Sequence, residues 1–419
     1  MAALRQYVNL RDDAPGELDG LDAKRAGRFV HVTAQVDPAA AGVLVQFYAV
    51  PDDANLEFSI PKSALAKIRR KFFGGPQIRT GREQTGDDGV AHWRFDASSF
   101  GGDKYKIRAV VVSTAEELEV PDAWEVWRRL YVNVTAVDGG PKAPGRTGSF
   151  QPVAYASLAS VKKEYERGFV ELRDEYAPRV PRVVNVASHG EAAKRLAAEG
   201  GYARSHGAPE LRVVGAFGLW EPMDVTHAFS VPAAGVHTEK LPHPRFVDES
   251  LEAPADWKPV VVFQTPNIKV WVPMETKFYR AVGLEQVELS LDQLAAECGL
   301  APTDVLDVEI FYRGVDAHAV VGYYVGGTNV LAIAEQSPRG PNSPAMLDCI
   351  AIHEIGHALG LATEDEPTYY DKHCYAGLAG PPKKGDKGSC VMFHGTDGTV
   401  SRFCDHCLEA VKRAPIRLP

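Results

Sequence analysis

The stretch HAVVGYYVGGTNVLAIAEQSPRGPNSPAMLDCIAIHEIGHALGLA, residues 318–362, decides how the chain is read. It opens as a hairpin. Two apolar runs, 319–325 and 330–334, flank Gly326, Gly327, Thr328 and Asn329, a loop suited to reversing a strand. A helix start follows. Ser343 can cap an N-terminus, and Pro344 fits the first helical position, where its missing N–H is no loss. Gly360 marks the far end, because helices often close on a left-handed residue. The spacing predicts a helix over about 344–359. Inside it lies His353-Glu354-Ile355-Gly356-His357. Two His at i and i+4 project from one helical face about one turn apart, so both imidazoles can hold one Zn²⁺. Glu354 stands beside the first His, placed to take a proton from an activated water and pass it to a leaving amine. The alternative is a helix with two surface His and a solvated Glu.

Downstream the chain supplies more metal-ligand residue types. Gly360 lies three residues past His357 and lets the chain turn back. Glu364 and Asp365 come next, then His373 followed at once by Cys374, then Cys390-Val391-Met392, then Cys404-Asp405-His406-Cys407. Cysteines clustered this way in a chain of 419 residues look more like a metal site than a disulfide framework. The order HExxHxxG, then HC, CxM and CxxC resembles the archaemetzincin family of zinc peptidases. That resemblance covers about residues 345–408. It implies a zincin peptidase fold with two zinc ions. His353, His357 and His373 would hold the catalytic ion, with Met392 in the apolar floor beneath it. Cys374, Cys390, Cys404 and Cys407 would hold a structural ion. Twelve residues separate Gly360 from His373, where the family motif has two. Glu364 and Asp365 therefore remain alternatives for the third ligand.

Working outward, residues 1–25 read as an extended polar arm. From Arg28 to Val137 short runs rich in Val, Tyr, Phe and Thr (28–36, 42–50, 90–97, 105–113 and 130–137) are punctuated by turn residues at 86–89 and 100–103. That spacing predicts a β-sandwich of immunoglobulin-like type over 26–137. A helical piece at 61–73 reads as an insertion. DGGPKAPGRTGSFQP, 138–152, has no periodicity and reads as a linker. Residues 153–419 then form an α+β zincin-type domain. Its first element is expected to be one amphipathic helix over about 157–176, from the stripe Leu158, Val161, Tyr165, Phe169, Leu172 and Tyr176. Strands are expected at 182–186, 211–217, 259–263, 269–273 and 307–313, a helix at 290–300, and a surface excursion over 232–258.

Several residues weigh toward ordinary roles. Cys349 and Cys298 read as core, His318 as packing at the start of the hairpin and His394 as a surface or structural His, while His406 is left out because four Cys already fill a zinc shell. Tyr369, Tyr370 and Tyr375 read as loop packing. Asn133-Val134-Thr135 fits a glycosylation sequon but has no leader to support it. The 330–334 run with Glu335 precedes the helix and is expected to pair with an extended peptide.

Composition sets the outer bounds. A hydrophobic share of 45% and a charged share of 24% are ordinary for a globular chain. A net charge of −9 argues against nucleic acid or a polybasic membrane surface. No apolar run is long enough to span a bilayer as a helix. The first residues carry no apolar leader, so the expected location is cytoplasmic, or exported without a classical signal peptide. The expectation is a zinc-dependent endopeptidase acting on a peptide or protein substrate. Its rivals are a leaderless secreted effector with the same chemistry and a non-catalytic zinc-stabilised interaction module.

Overall fold

The computed structural model describes residues 3–10, 25–51, 78–136, 158–176, 210–216, 222–243, 260–264, 269–273, 279–282, 286–315, 322–334, 336–337, 340–361, 369–370, 373–376, 378, 388–393, 398–414 and 416. Alternation builds the N-terminal part. The first strands are β1 (Leu4–Tyr7), β2 (Phe29–Gln35), β3 (Leu44–Pro51), β4 (Arg79–Gln84), β5 (Val90–Asp96), β6 (Lys104–Val111) and β7 (Glu117–Ala136). In β3, Val45, Phe47 and Ala49 point inward; in β5, Ala91, Trp93 and Phe95 do. Strands β7, β6, β3 and β4 pair in that order, and the antiparallel pair β2–β5 contributes to the same core. Phe47, Trp93 and Phe95 stack through it, at 5.4 and 5.1 Å between centroids. The region is thus β-rich and layered, as expected. The arm is not merely extended: β1 pairs parallel with β7, and Tyr7 and Leu10 are buried. Asn133 is buried within β7, which leaves its sequon no room for a glycan.

Strand β7 runs on past these N-terminal layers. Its second half pairs parallel with β8 (Val170–Tyr176) on one side and β9 (Glu210–Ala216) on the other. Residues 128–136 thus belong to the sheet beneath the candidate site as much as to the N-terminal layers. The expected linker, 138–152, lies outside the described residues, as does the 61–73 helical piece.

The expected helix over 157–176 is corrected. Helix α1 covers Ala159–Glu166 only, and the chain then turns into β8. Phe169 takes a left-handed φ of 57°, which no α-helix accommodates. Val161 and Tyr165 keep the helical stripe, while Val170 and Leu172 alternate inward as strand residues. The apolar spacing fitted both periods, and the backbone break at Phe169 chose between them.

Between β9 and the hairpin lies an antiparallel unit. One sheet holds β10 (Pro222–Pro232), β16 (Val305–Val315), β12 (Val260–Gln264) and β13 (Lys269–Pro273); another holds β11 (Val236–Lys240), β15 (Gln286–Ser290) and β14 (Tyr279–Val282). Helix α2 (Leu291–Cys298) packs its Leu291 and Leu294 into the same core. The expected excursion over 232–258 is therefore wrong at its start, where β11 pairs with β15. The strand expected at 182–186 lies outside the described residues.

The hairpin is β17 (Gly322–Tyr324) and β18 (Val330–Ala334). Parallel β9 flanks β18, and β17 ends the sheet, in the order β17-β18-β9-β7. Helix α3 (Pro344–Ala358) lies against both hairpin strands and against α1. Short pairs β19 (Gln336–Ser337) with β20 (Gly340–Pro341) and β21 (Tyr369–Tyr370) with β22 (His373–Cys374) follow, and α4 (Asp405–Arg413) closes the described chain. Among the described residues, no helix is long and apolar enough to cross a membrane.

Candidate metal centre

Helix α3 begins where the sequence put it: the Ser343 hydroxyl accepts from the Met346 N–H at 3.2 Å, with Pro344 next. Gly360 closes it at φ 79°. Ile350, Ile352 and Ile355 anchor the helix in the core, and Cys349 is buried beside them. The helix therefore cannot roll, and His353 and His357 are held toward one point. Their Nε2 atoms lie 3.0 Å apart. His373 arrives on β22, its ring 5.3 Å from that of His353 and 5.4 Å from that of His357. One nitrogen from each of the three falls within 4.8 Å of the others. His353 Nδ1 donates to the Val391 carbonyl at 2.8 Å, which commits Nε2 to the centre of the cluster as an acceptor. Three imidazole nitrogens facing one another in a partly buried site suit a cation between them. Glu364 and Asp365, the alternative ligands, lie outside the described residues.

Cys374, Cys390, Cys404 and Cys407 form a second cluster, with their sulfurs also within 4.8 Å of one another. Cys374 Sγ and Cys404 Sγ are 3.8 Å apart, far from the roughly 2.05 Å of a disulfide. Cys404 is the N-cap of α4, its Sγ accepting from the Cys407 N–H at 3.5 Å, and its own N–H points to Cys390 Sγ at 3.4 Å. Hydrogen bonds from the neighbouring thiols, Cys374 foremost, push the Cys404 thiol far below its ordinary range. The same crowding, again led by Cys374, pushes Cys407 up. Four sulfurs converging without a disulfide suit a metal ion.

Backbone ties the two clusters together. Val391 receives His353 through its carbonyl, and the next carbonyl, Met392, accepts from the Cys374 N–H at 2.8 Å. Met392 is fully buried beneath α3. A Cβ on Gly356 would stand 2.5 Å from its sulfur, so glycine is what lets the helix lie on that side chain. Helix α1 supports the arrangement from behind. The Tyr165 hydroxyl donates to the Ile352 carbonyl at 2.7 Å, and the buried Glu164 carboxylate accepts the Phe403 N–H at 2.8 Å, next to Cys404.

Glu354 points from α3 toward β17, with 6% of its surface exposed. Burial pushes its pKa up to about 8, against the opposing pull of the Tyr324 backbone N–H that donates to it. The strand beside it is not the one expected. β18 is interior, flanked on both sides, and Glu335 lies outside the described residues; the edge belongs to β17. The chain reverses at the hairpin, so the later run is covered by the earlier one.

His318 and His394 lie outside the described residues. Cys298 is partly buried, packed at the margin of the antiparallel unit's core. The Tyr375 ring meets Phe393 edge-on at 5.3 Å. Sequence reasoning missed Val391, Glu164, Tyr165 and Gly322. Only Gly322 carried a local signal, a glycine inside an apolar strand run, which marks close backbone approach.

Neither protein-family models nor curated proteins give a match to the chain. Among solved structures, it is similar to the full-length major pilin RrgB from Streptococcus pneumoniae at 15% identity and a TM-score of 0.16. That alignment covers 69% of this chain and 42% of the pilin chain, so the chain spans less than half of the protein it matches. A TM-score at this level bears on neither the fold nor the site.

Proposed function

We propose that the protein is a zinc-dependent endopeptidase, with His353, His357 and His373 holding a catalytic ion and Cys374, Cys390, Cys404 and Cys407 a structural one. The observation that carries this reading is the convergence of three His nitrogens beside a buried carboxylate on the same helix. The sulfur spacing supports zinc: a tetrahedron with Zn–S near 2.3 Å has edges of about 3.8 Å, and Cys374 and Cys404 stand 3.8 Å apart. The resemblance to archaemetzincins assigns the same residues the same roles.

When bound, the catalytic ion would supply a Lewis acid for the scissile carbonyl and lower the pKa of the attacking water. The chain supplies the rest. Glu354 takes the proton from the water and gives it to the departing amine. Its place on the same helix, next to His353, puts the carboxylate beside the three His nitrogens, where a proton-transferring group is needed. The Val391 carbonyl fixes the His353 ring orientation. The outer edge of β17, apart from the Tyr324 N–H that Glu354 accepts, offers backbone groups to an extended peptide.

Metal analysis beside a peptide-library digestion tests this. Wild type should carry two zinc ions and cleave; His353→Ala should carry one and not cleave. Mild chelation should remove the His-bound ion first, since a three-His site leaves a position open while four thiolates close theirs. Fully loaded protein that cleaves no peptide would refute the reading.

A further inference from the structure

Strand β17 approaches α3 more closely than side chains normally allow. A Cβ built on Gly322 would stand 2.5 Å from Ile350 Cγ2, 2.6 Å from Glu354 Oε1 and 2.8 Å from Glu354 Cγ. Two residues on, the Tyr324 N–H donates to the Glu354 carboxylate. The register explains why that N–H is available. Val325 N–H donates to the Val330 carbonyl at 3.0 Å, inside the hairpin. Successive residues of a strand face opposite ways, so the Tyr324 N–H points off the sheet's edge. The Tyr324 ring is tied down separately, its hydroxyl donating to the Thr328 carbonyl at 2.8 Å. The strand is therefore held from the hairpin side while its outer face carries the carboxylate.

The geometry points to Gly322 as a positioning residue: the absence of a side chain there lets the Tyr324 amide reach the Glu354 carboxylate and sets where that carboxylate sits. The inference rests on the peptidase reading for its catalytic consequence, but the contact itself does not. Any residue larger than glycine would drive the Glu354 stem off the strand and break the hydrogen bond from the Tyr324 N–H. Displacing a proton-transferring group by about 1 Å costs on the order of 10²-fold in rate. The carboxylate would move while the His and Cys clusters, which Gly322 does not touch, stay loaded.

The test uses the full chain with both sites metal-loaded and its 15 tyrosines labelled with ¹⁵N. Tyr324→Phe identifies the Tyr324 amide resonance. Its hydrogen exchange should be slow in wild type and at least about tenfold faster in both Glu354→Ala and Gly322→Ala, because an edge amide without a partner is open to solvent. Gly322→Ala should lower kcat about 10–10²-fold with KM within about twofold and two metal ions retained. Adding Ile350→Ala should not restore kcat; restoration would place the fault in packing on Ile350 and overturn the proposal. Exchange at Tyr324 that ignores Glu354→Ala, or a Gly322→Ala protein with wild-type kcat, would also overturn it. Should wild type cleave no peptide, the peptidase reading fails, and the exchange measurement alone decides the contact.

Discussion

Glu354 and the three His separate chemistry from metal binding at single positions. Glu354→Ala should keep both metal ions and the native circular dichroism while kcat falls about 10²–10⁴-fold, the usual worth of a positioned proton-transfer group; near wild-type turnover would remove Glu354 from the mechanism. His373→Ala should lose the labile ion, while Glu364→Ala and Asp365→Ala keep it, as read by metal content after desalting. The reverse pattern would reassign the third ligand. His353 and His357 were legible in the sequence because helical spacing alone puts i and i+4 on one face. His373 was legible only through its neighbour Cys374, since nothing in the intervening chain reports how a loop returns. The Val391 carbonyl and the Glu164 carboxylate left no trace, because a backbone acceptor has no residue type and Glu164 finds Phe403 from far away in sequence.

At the scale of elements, strong punctuation was read correctly and ambiguous periodicity was not. Helix α3 had its cap, its Pro and its closing Gly, and its bounds follow them. The stretch 157–176 had an apolar stripe compatible with two periods, and its division into α1 and β8 depends on a backbone conformation at Phe169 that composition does not announce. The hairpin was legible, but which strand lay outermost depended on β9 pairing with β18 from far upstream. Gly356 offers a test of packing between elements. Alanine there would gain up to about 1 kcal/mol in helix propensity, yet its Cβ would overlap Met392. Overpacking of this kind costs about 1–3 kcal/mol, so Gly356→Ala should lower the unfolding midpoint and weaken metal retention at the His cluster. A variant more stable than wild type would show that Met392 moves aside freely.

Across the whole molecule, the N-terminal layers and the metal sites share contacts rather than merely a chain. Arg128 of β7 is buried, and its guanidinium donates to the carbonyls of Gly168 at 2.7 Å, Val411 at 2.8 Å and Lys412, so the last turn of α4 is capped from the long strand. The Gly101 N–H donates to the Lys412 carbonyl from the adjoining turn. Asp103 lies in that turn and bonds Ser98, and burial pushes its carboxyl up to about 6. A folded-state pKa above the unfolded value means the folded chain holds this proton more tightly. The favourable contribution is thus complete below about pH 4 and lost as pH rises through 6. Asp103→Asn removes the ionisation and should gain on wild type as pH rises, by about 1–2 kcal/mol at neutrality after allowance for partial exposure. Denaturant midpoints of the two proteins at pH 4.5 and 7.5 give the comparison, and a difference that does not change with pH would exclude Asp103 as its source.

The continuity of β7 also bears on how such a chain can be inherited. Its 20 residues, Glu117–Ala136, pair first with β6 and then with β8 and β9. A recombination joint placed after it, in the glycine- and proline-rich segment, would deliver the downstream half without the strand at the middle of its sheet. A joint placed before it would strip the N-terminal layers of the strand beside β6. Exon shuffling or gene fusion therefore has no clean seam between the two halves.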